Sequence, residues 1–320
     1  MVHPIPGSGL AQTYLITDEK DGLMVIDVGS IGAARAVEDF CTHTIKRSLM
    51  AIRIIAATHF HFDHIGGIAA LLSACSPKTV VLFHPLVRAY LNEGRSLSPM
   101  RHWVSGLFPA LIAGGFFGVR KLSDLVFDGA AGVPLHFFQD QQRVSYGERI
   151  RYIDDLQAPG PRGNRHRFDG GKPRHRSDLP GKGAGRKGEQ GKGVKEELIR
   201  DLEGNSMPRS RIGFGGWEVI AAPGHTEESV VFYNESSGEL IAGDLILGRK
   251  DGRGYMNRFF WDEGQTQRTF AALSETLRVR IIYPGHGPVI WAAEDAFRKV
   301  DGFAELGGRA VRRRAPSEGV

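Results

Sequence analysis

Cysteine is almost absent from this 320-residue sequence: the two it has, Cys41 and Cys75, stand far apart, with no CxxC spacing and no secretory context. That excludes a disulfide framework and a thiolate zinc site, so any metal must be bound by His and carboxylate. Long apolar runs are missing too. No stretch reaches the roughly 18 uninterrupted apolar residues that a membrane span needs, and the opening MVHPIPGSGLAQTYLITDEKDG has no basic region followed by an apolar core. A soluble, cytoplasmic protein without a transmembrane segment is expected. There is no GxSxG, and the Gly-rich stretch around 181–193 does not follow a strand as a phosphate-cradling loop must.

What is present is enough for a folded body. With 41% hydrophobic residues the chain can bury a full core, as one large domain or two small ones, and disorder throughout is excluded. The formal charge of +5 suggests at first a nucleic-acid partner. Its distribution argues otherwise: of 41 basic and 36 acidic residues, twelve and five fall within 161–200, leaving 29 against 31 elsewhere. The basicity belongs to one insertion, not to the body. From about 158 to 200 that insertion is rich in Gly, Lys and Arg and nearly devoid of large apolar groups, so nothing offsets the ordering entropy and a disordered linker is expected, with a nucleic-acid arm as the alternative.

Along the rest of the chain, TYLIT at 13–17 and LMVIDV at 23–28 read as a hairpin pair, followed by a helical pattern from Ile31 to about Arg47 and an apolar strand, IRIIAAT, at 52–58. IGGIAALLSA has helical spacing, and TVVLF at 79–83 reads as a buried strand. Residues 86–128 read as a less regular helical insertion containing WVSGLFPALIAGGFFG, either a cap packed on the core or a lid lining an apolar substrate pocket or resting on a membrane surface. Strands are expected near 143–152, 217–222, 230–233, 240–242 and 280–283, helices near 265–277 and from Ala292, and a flexible basic tail at 305–320.

The chemistry concentrates in Thr58-His59-Phe60-His61-Phe62-Asp63-His64, four candidate ligands in six residues, after an apolar strand and before a Gly-Gly turn. In extended backbone His59 and His61 fall on one side, while the following turn can swing Asp63 and His64 toward a second centre, so two metals can share one loop. Phe60 and Phe62 would face the other way and anchor the loop. Three more candidates stand where later strands run out: His225 in PGHT, Asp244 in AGD and His286 in PGHG. Strand ends of layered folds converge on one face. His3, His43, His84, His102, His136, His166 and His175 lack such a context and read as structural or surface residues.

Taken in order, HFHFDHIGG, PGHT, AGD and PGHG resemble the motifs of the metallo-β-lactamase-fold hydrolases, in surroundings similar to the glyoxalase II and lactonase branch. The resemblance implies an α+β fold, a four-layer αββα sandwich, with residues 1–304 as a single domain carrying the two insertions. It assigns His59, His61 and His225 to one metal and Asp63, His64 and His286 to the other, with Asp244 bridging; Asp63 also orients the nucleophile, and Asp27 in VIDVG supports a ligand or the loop. Two divalent ions are implied, zinc first, with iron or manganese also suited to these donors. The expected activity is attack of a metal-activated water on a small-molecule ester, lactone or thioester. Arg249, Tyr255, Asn257 and Arg258, downstream of Asp244, are candidate substrate contacts. Competing readings are an RNase Z-like phosphodiesterase using the basic insertion as an arm, a mononuclear-iron sulfur dioxygenase, and a noncatalytic binding module.

Overall fold

In the computed structural model, residues 1–92, 147–156, 199, 200, 204 and 206–303 are described. The expected insertions at 86–128 and 158–200 fall mostly outside these residues, and the tail at 305–320 wholly so.

Two six-stranded mixed sheets form the frame. The first comprises β1 (Val2–Pro4), β2 (Tyr14–Asp18), β3 (Gly22–Ile26), β4 (Ile52–Ala56), β5 (Val80–Phe83) and β6 (Ile150–Tyr152), in that spatial order. β1 to β3 are antiparallel neighbours, as the hairpin reading expected, and β3 to β6 run parallel. Strands β7 (Ile199–Arg200) and β8 (Ser206–Met207) form a separate small ladder, so the last two residues of the expected linker lie in a strand. The second sheet is built from β9 (Arg209–Arg211), β10 (Trp217–Ala221), β11 (Val230–Asn234), β12 (Glu239–Gly243), β15 (Ile281–Pro284) and β16 (Ile290–Trp291). Strands β13 (Ile246–Gly248), β14 (Gly254–Met256) and β17 (Val300–Asp301) make a three-stranded sheet beside it.

The side-chain period of two divides each strand between two apolar faces. Leu15, Leu23 and Val25 pack outward under α1 (Ile31–Asp39) and α3 (Ile68–Ala74), with Val37, Leu71 and Leu72. Tyr14, Ile16, Met24 and Ile26 point the other way, onto Trp217, Val219, Phe232 and Ile241 of the second sheet. Ile220, Val231, Leu240 and Ile282 cover that sheet's outer face against Phe270 and Leu273 of α5 (Glu263–Thr276). The layers are therefore helix, sheet, sheet, helix, the expected α+β sandwich. Both main helices start on side-chain caps: Ser30 accepts from Ala33 N and Asp262 from Gln265 N.

The helix expected from Ala292 is not there. Ala292 N donates to Arg280 O and Ala296 N to Val279 O. The backbone is thus drawn onto the entry to β15, leaving one 3-10 turn at Ala296–Lys299 before β17. Ala296, Phe297 and Val300 are buried, and their spacing mimics a helix face.

Phe232 is 1% exposed between the sheets, whereas Trp291 is 60% exposed. Phe232→Ala is expected to lower unfolding free energy by about 3–5 kcal/mol, and Trp291→Ala by about 0.5 kcal/mol or less, both read from denaturant titration.

Candidate metal centre

The strands of the sandwich run out at one edge, and the charged and imidazole side chains gather there. His59 follows β4. His61 is the N-cap of the short helix α2 (Phe62–Ile65), which contains Asp63 and His64. His225 follows β10, Asp244 follows β12 and His286 follows β15. The structure brings all seven sequence candidates together as three overlapping donor sets, His59–His61–His225, His59–His64–Asp244 and Asp63–His64–His286, each with its ligand atoms within 4.8 Å of one another. Phe60 is fully buried as expected, but Phe62 begins α2 and is only partly buried.

Each arm of the cluster is held from behind. Asp27, fully buried with φ of 58°, accepts from Thr58 N at 2.7 Å, Thr58 Oγ1 at 2.8 Å and His64 Nδ1 at 2.9 Å. Because the Thr58 hydroxyl donates to Asp27, it is left to accept from His59 Nδ1 at 3.1 Å. His225 Nδ1 donates to Phe259 O at 2.6 Å and His286 Nδ1 to Leu10 O at 2.8 Å. These bonds assign the proton to Nδ1 in four imidazoles and turn Nε2 inward. His61 differs, presenting Nδ1 at 3.1 Å from His225 Nε2.

Close backbone approach completes the geometry. A Cβ on Gly285 would lie 2.0 Å from Asp244 Oδ1, and one on Gly243, which has φ of 50°, would lie 2.7 Å from Thr58 Cβ. The glycines of AGD and PGHG are therefore required by sterics at the centre itself.

Electrostatically the cluster has two halves. Burial, with neighbouring imidazoles pushing the same way, lowers His59 and His61 well below the usual histidine range, and burial lowers His225 as well. Burial also works against a charged His64, but Asp27, Asp244 and Asp63 outweigh it and raise it well above that range. His286 follows the same pattern: burial is overcome by Asp244 and Asp63, and its pKa rises to about 9. Burial alone would raise Asp244, but His286 and His64 hold it well below the usual carboxylate range.

Three buried atoms at the heart of the cluster, His59 Nε2, His64 Nε2 and Asp244 Oδ1, make no hydrogen bond. Asp244 Oδ1 lies 3.3 Å from His64 Nε2, and three buried ligand atoms without hydrogen bonds converging in one place fit a divalent cation. The donor set, imidazole and carboxylate without thiolate, suits zinc, iron or manganese.

The candidate substrate contacts separate. Arg249 is ion-paired with Asp251 at 2.8 Å and Asp301 at 3.0 Å. Asn257 is buried in the wall, with Nδ2 3.5 Å from Asp244 Oδ2 and Oδ1 accepting from Phe259 N. Tyr255 is half-buried and Arg258 exposed. Of the histidines read as structural, His3 bonds Thr17, His43 is exposed and His84 accepts from Leu86 N; His102, His136, His166 and His175 lie outside the described residues. Sequence reasoning missed the relay through Thr58, the carbonyls of Leu10 and Phe259, and a buried Glu228. None carries a motif that would have marked it.

Residues 7–143 and 199–286 match the family model described as the metallo-beta-lactamase superfamily. A probable metallo-hydrolase of Bacillus subtilis (strain 168), YqjP, is 31% identical over 304 residues, covering 89% of this chain and 70% of its own. Among solved structures, an archaeal metallo-beta-lactamase superfamily protein from Sulfolobus tokodaii aligns with a TM-score of 0.49 at 15% identity, covering 99% of this chain and 91% of that one. A metallo-beta-lactamase family protein from Thermus thermophilus aligns with a TM-score of 0.42 at 16% identity, covering 93% and 75%.

Asp27→Ala leaves three donors without their acceptor, and metal affinity is expected to fall about 10–100-fold by chelator competition. Asp27→Asn, which keeps an acceptor oxygen, should lose less. A histidine can ligate a metal only as a neutral imidazole, and metal-free His286, with its pKa at about 9, holds a proton near neutrality. Zinc binding at about pH 7.5 is therefore expected to release protons, and less so as pH rises past about 9. Calorimetry in buffers of different ionisation enthalpy reads this directly.

Proposed function

The chain belongs to the metallo-beta-lactamase superfamily, and we propose that it is a dinuclear metal-dependent hydrolase acting on a small-molecule ester, lactone or thioester. The observation that carries this reading is the convergence of seven donor side chains, of which three buried ligand atoms, His59 Nε2, His64 Nε2 and Asp244 Oδ1, make no hydrogen bond. His59, His61 and His225 would hold one divalent ion, and Asp63, His64 and His286 the other. Asp244 would bridge them, since its Oδ1 lies 3.3 Å from both His64 Nε2 and His286 Nε2, and its Oδ2 lies 3.5 Å from His225 Nε2. Zinc is the expected metal, with iron or manganese served by the same donors.

Bound divalent metals supply Lewis acidity and a water whose pKa is lowered toward neutrality. The chain contributes orientation and proton handling. Asp63 is the more exposed of the two carboxylates at the centre, 17% against 9% for Asp244. Its carboxylate orients the attacking water by accepting a hydrogen bond from it. Asp27, Phe259 O and Leu10 O keep the imidazole rings from rotating, so the inward nitrogens stay fixed through the reaction.

On the substrate side, Tyr255 and Arg258 are the residues we assign. Arg258 is exposed between Asn257 and Phe259, both bonded into the centre's wall, and the Tyr255 phenol, raised first by burial, also feels the Asp244 charge. Arg249, committed to Asp251 and Asp301, serves to hold the β13–β14 hairpin. The small-molecule reading is supported by a body that is near neutral outside 161–200. No helix among the described residues is long and apolar enough to cross a membrane. A cytoplasmic location accords with two buried, unpaired cysteines.

Purified protein is expected to carry about two metal equivalents per chain by mass spectrometry and to cleave members of an ester, lactone and thioester panel. His59→Ala and Asp244→Ala should lose both metal and activity. Cleavage of phosphodiesters alone, a single iron with oxygen consumption on persulfide, or no bound metal would each overturn this function.

A further inference from the structure

Glu228 carries a buried carboxylate that the mechanism leaves without a role. It stands three residues after His225, in the turn before β11, and is 2% exposed. Its Oε1 accepts from the backbone N–H of Phe60 at 3.2 Å, and its Oε2 from the hydroxyl of Tyr90 at 2.9 Å. Tyr90, also buried, lies on α4 (Val87–Asn92). Phe60 sits between His59 and His61. Its ring is fixed by Phe83, edge-on at 5.4 Å between centroids, and by Tyr90 at 5.9 Å.

The residue between two donors is thus held by both ring and amide, and the group holding the amide comes from the loop that carries the third donor. An apolar side chain would fill this space without the desolvation penalty of a buried carboxyl. What the carboxyl adds is direction: besides Thr226 in its own loop, it accepts from Phe60 N and the Tyr90 hydroxyl, which lie on different elements.

We propose that Glu228 is a positioning residue that sets the distance between the His59–His61 arm and the His225 arm, and through it the metal affinity of that three-histidine set. It acts separately from Asp27, whose bonds reach His64 directly and His59 through Thr58. The inference rests on the reading of these residues as metal ligands.

Zinc titration of the metal-free protein against a chromophoric chelator, together with hydrogen exchange at the Phe60 amide, tests it. Glu228→Ala is expected to weaken one of the two zinc equivalents about 10–100-fold, leave the other nearly unchanged, and speed Phe60 exchange even without metal. Glu228→Gln keeps an acceptor for Phe60 N and should restore most of the affinity. Tyr90→Phe, which removes one of the donors to that carboxylate, should produce a smaller loss in the same equivalent. Equal weakening of both equivalents with a lowered melting temperature would reduce Glu228 to a general structural part and overturn the proposal, as would two unchanged affinities. If Glu228→Ala does not fold, Tyr90→Phe decides: unaltered Phe60 exchange and affinity there overturn it. A wild-type protein that binds no zinc would instead bring down the metal reading beneath it.

Discussion

Asp27 holds its carboxylate in a fully buried position where three donors converge, and the layout of the edge that carries the seven candidate ligands follows from that contact. Hydrogen bonds to a charged group contribute about 1.5–3 kcal/mol each, so Thr58 N, Thr58 Oγ1 and His64 Nδ1 together offset much of the desolvation of the carboxylate and the left-handed backbone at φ 58°. Asp is among the few residues that tolerate that backbone. The turn places Asp27 N on Ala56 O and Val28 N on His64 O, so the end of β3 is stitched to β4 and to α2 at once. One residue thereby fixes the end of a strand, the proton of His64 and, through Thr58, the proton of His59.

The remaining arms are pinned from the second sheet and from the start of the chain. Val230 N donates to Thr58 O, joining the His225 arm to the first sheet across the sandwich. Tyr14 Oη donates to Pro284 O and Gln12 N to Gly285 O, so the strand carrying His286 is tied to the N-terminal segment. A packed apolar interior behind this edge, with Tyr14, Met24, Trp217 and Phe232 filling the space between sheets, gives these bonds a rigid base. The candidate ligands sit just past strand ends, in loops and on the short helix α2.

Much of this was legible in the residues. Short apolar runs located β2 to β5 and β10 to β12, and HFHFDH with PGHT, AGD and PGHG named every donor that the structure gathers. Legibility failed where partners are distant in sequence. Ala292, Ala296, Phe297 and Val300 have helical spacing, yet their backbone bonds to residues near 280 and a helix does not form. The β13–β14 hairpin escaped notice because its strands are three residues long and begin or end in glycine. Nothing local separates Glu228 from Glu227, since only the packing of Phe60 and Tyr90 selects one of them for burial. Asn257 looked like a free polar contact and turned out to be a bonded part of the wall, a distinction that depends on Phe259 folding back toward His225.

On the proposed function, these seven side chains form one two-metal centre. Anomalous diffraction from crystals of the metal-loaded protein, collected on both sides of the metal's absorption edge, tests it most directly. Two peaks about 3.5–4 Å apart are expected, one among His59, His61 and His225, the other among Asp63, His64 and His286, with Asp244 between them. A single peak, or metal bound elsewhere on the chain, would contradict it.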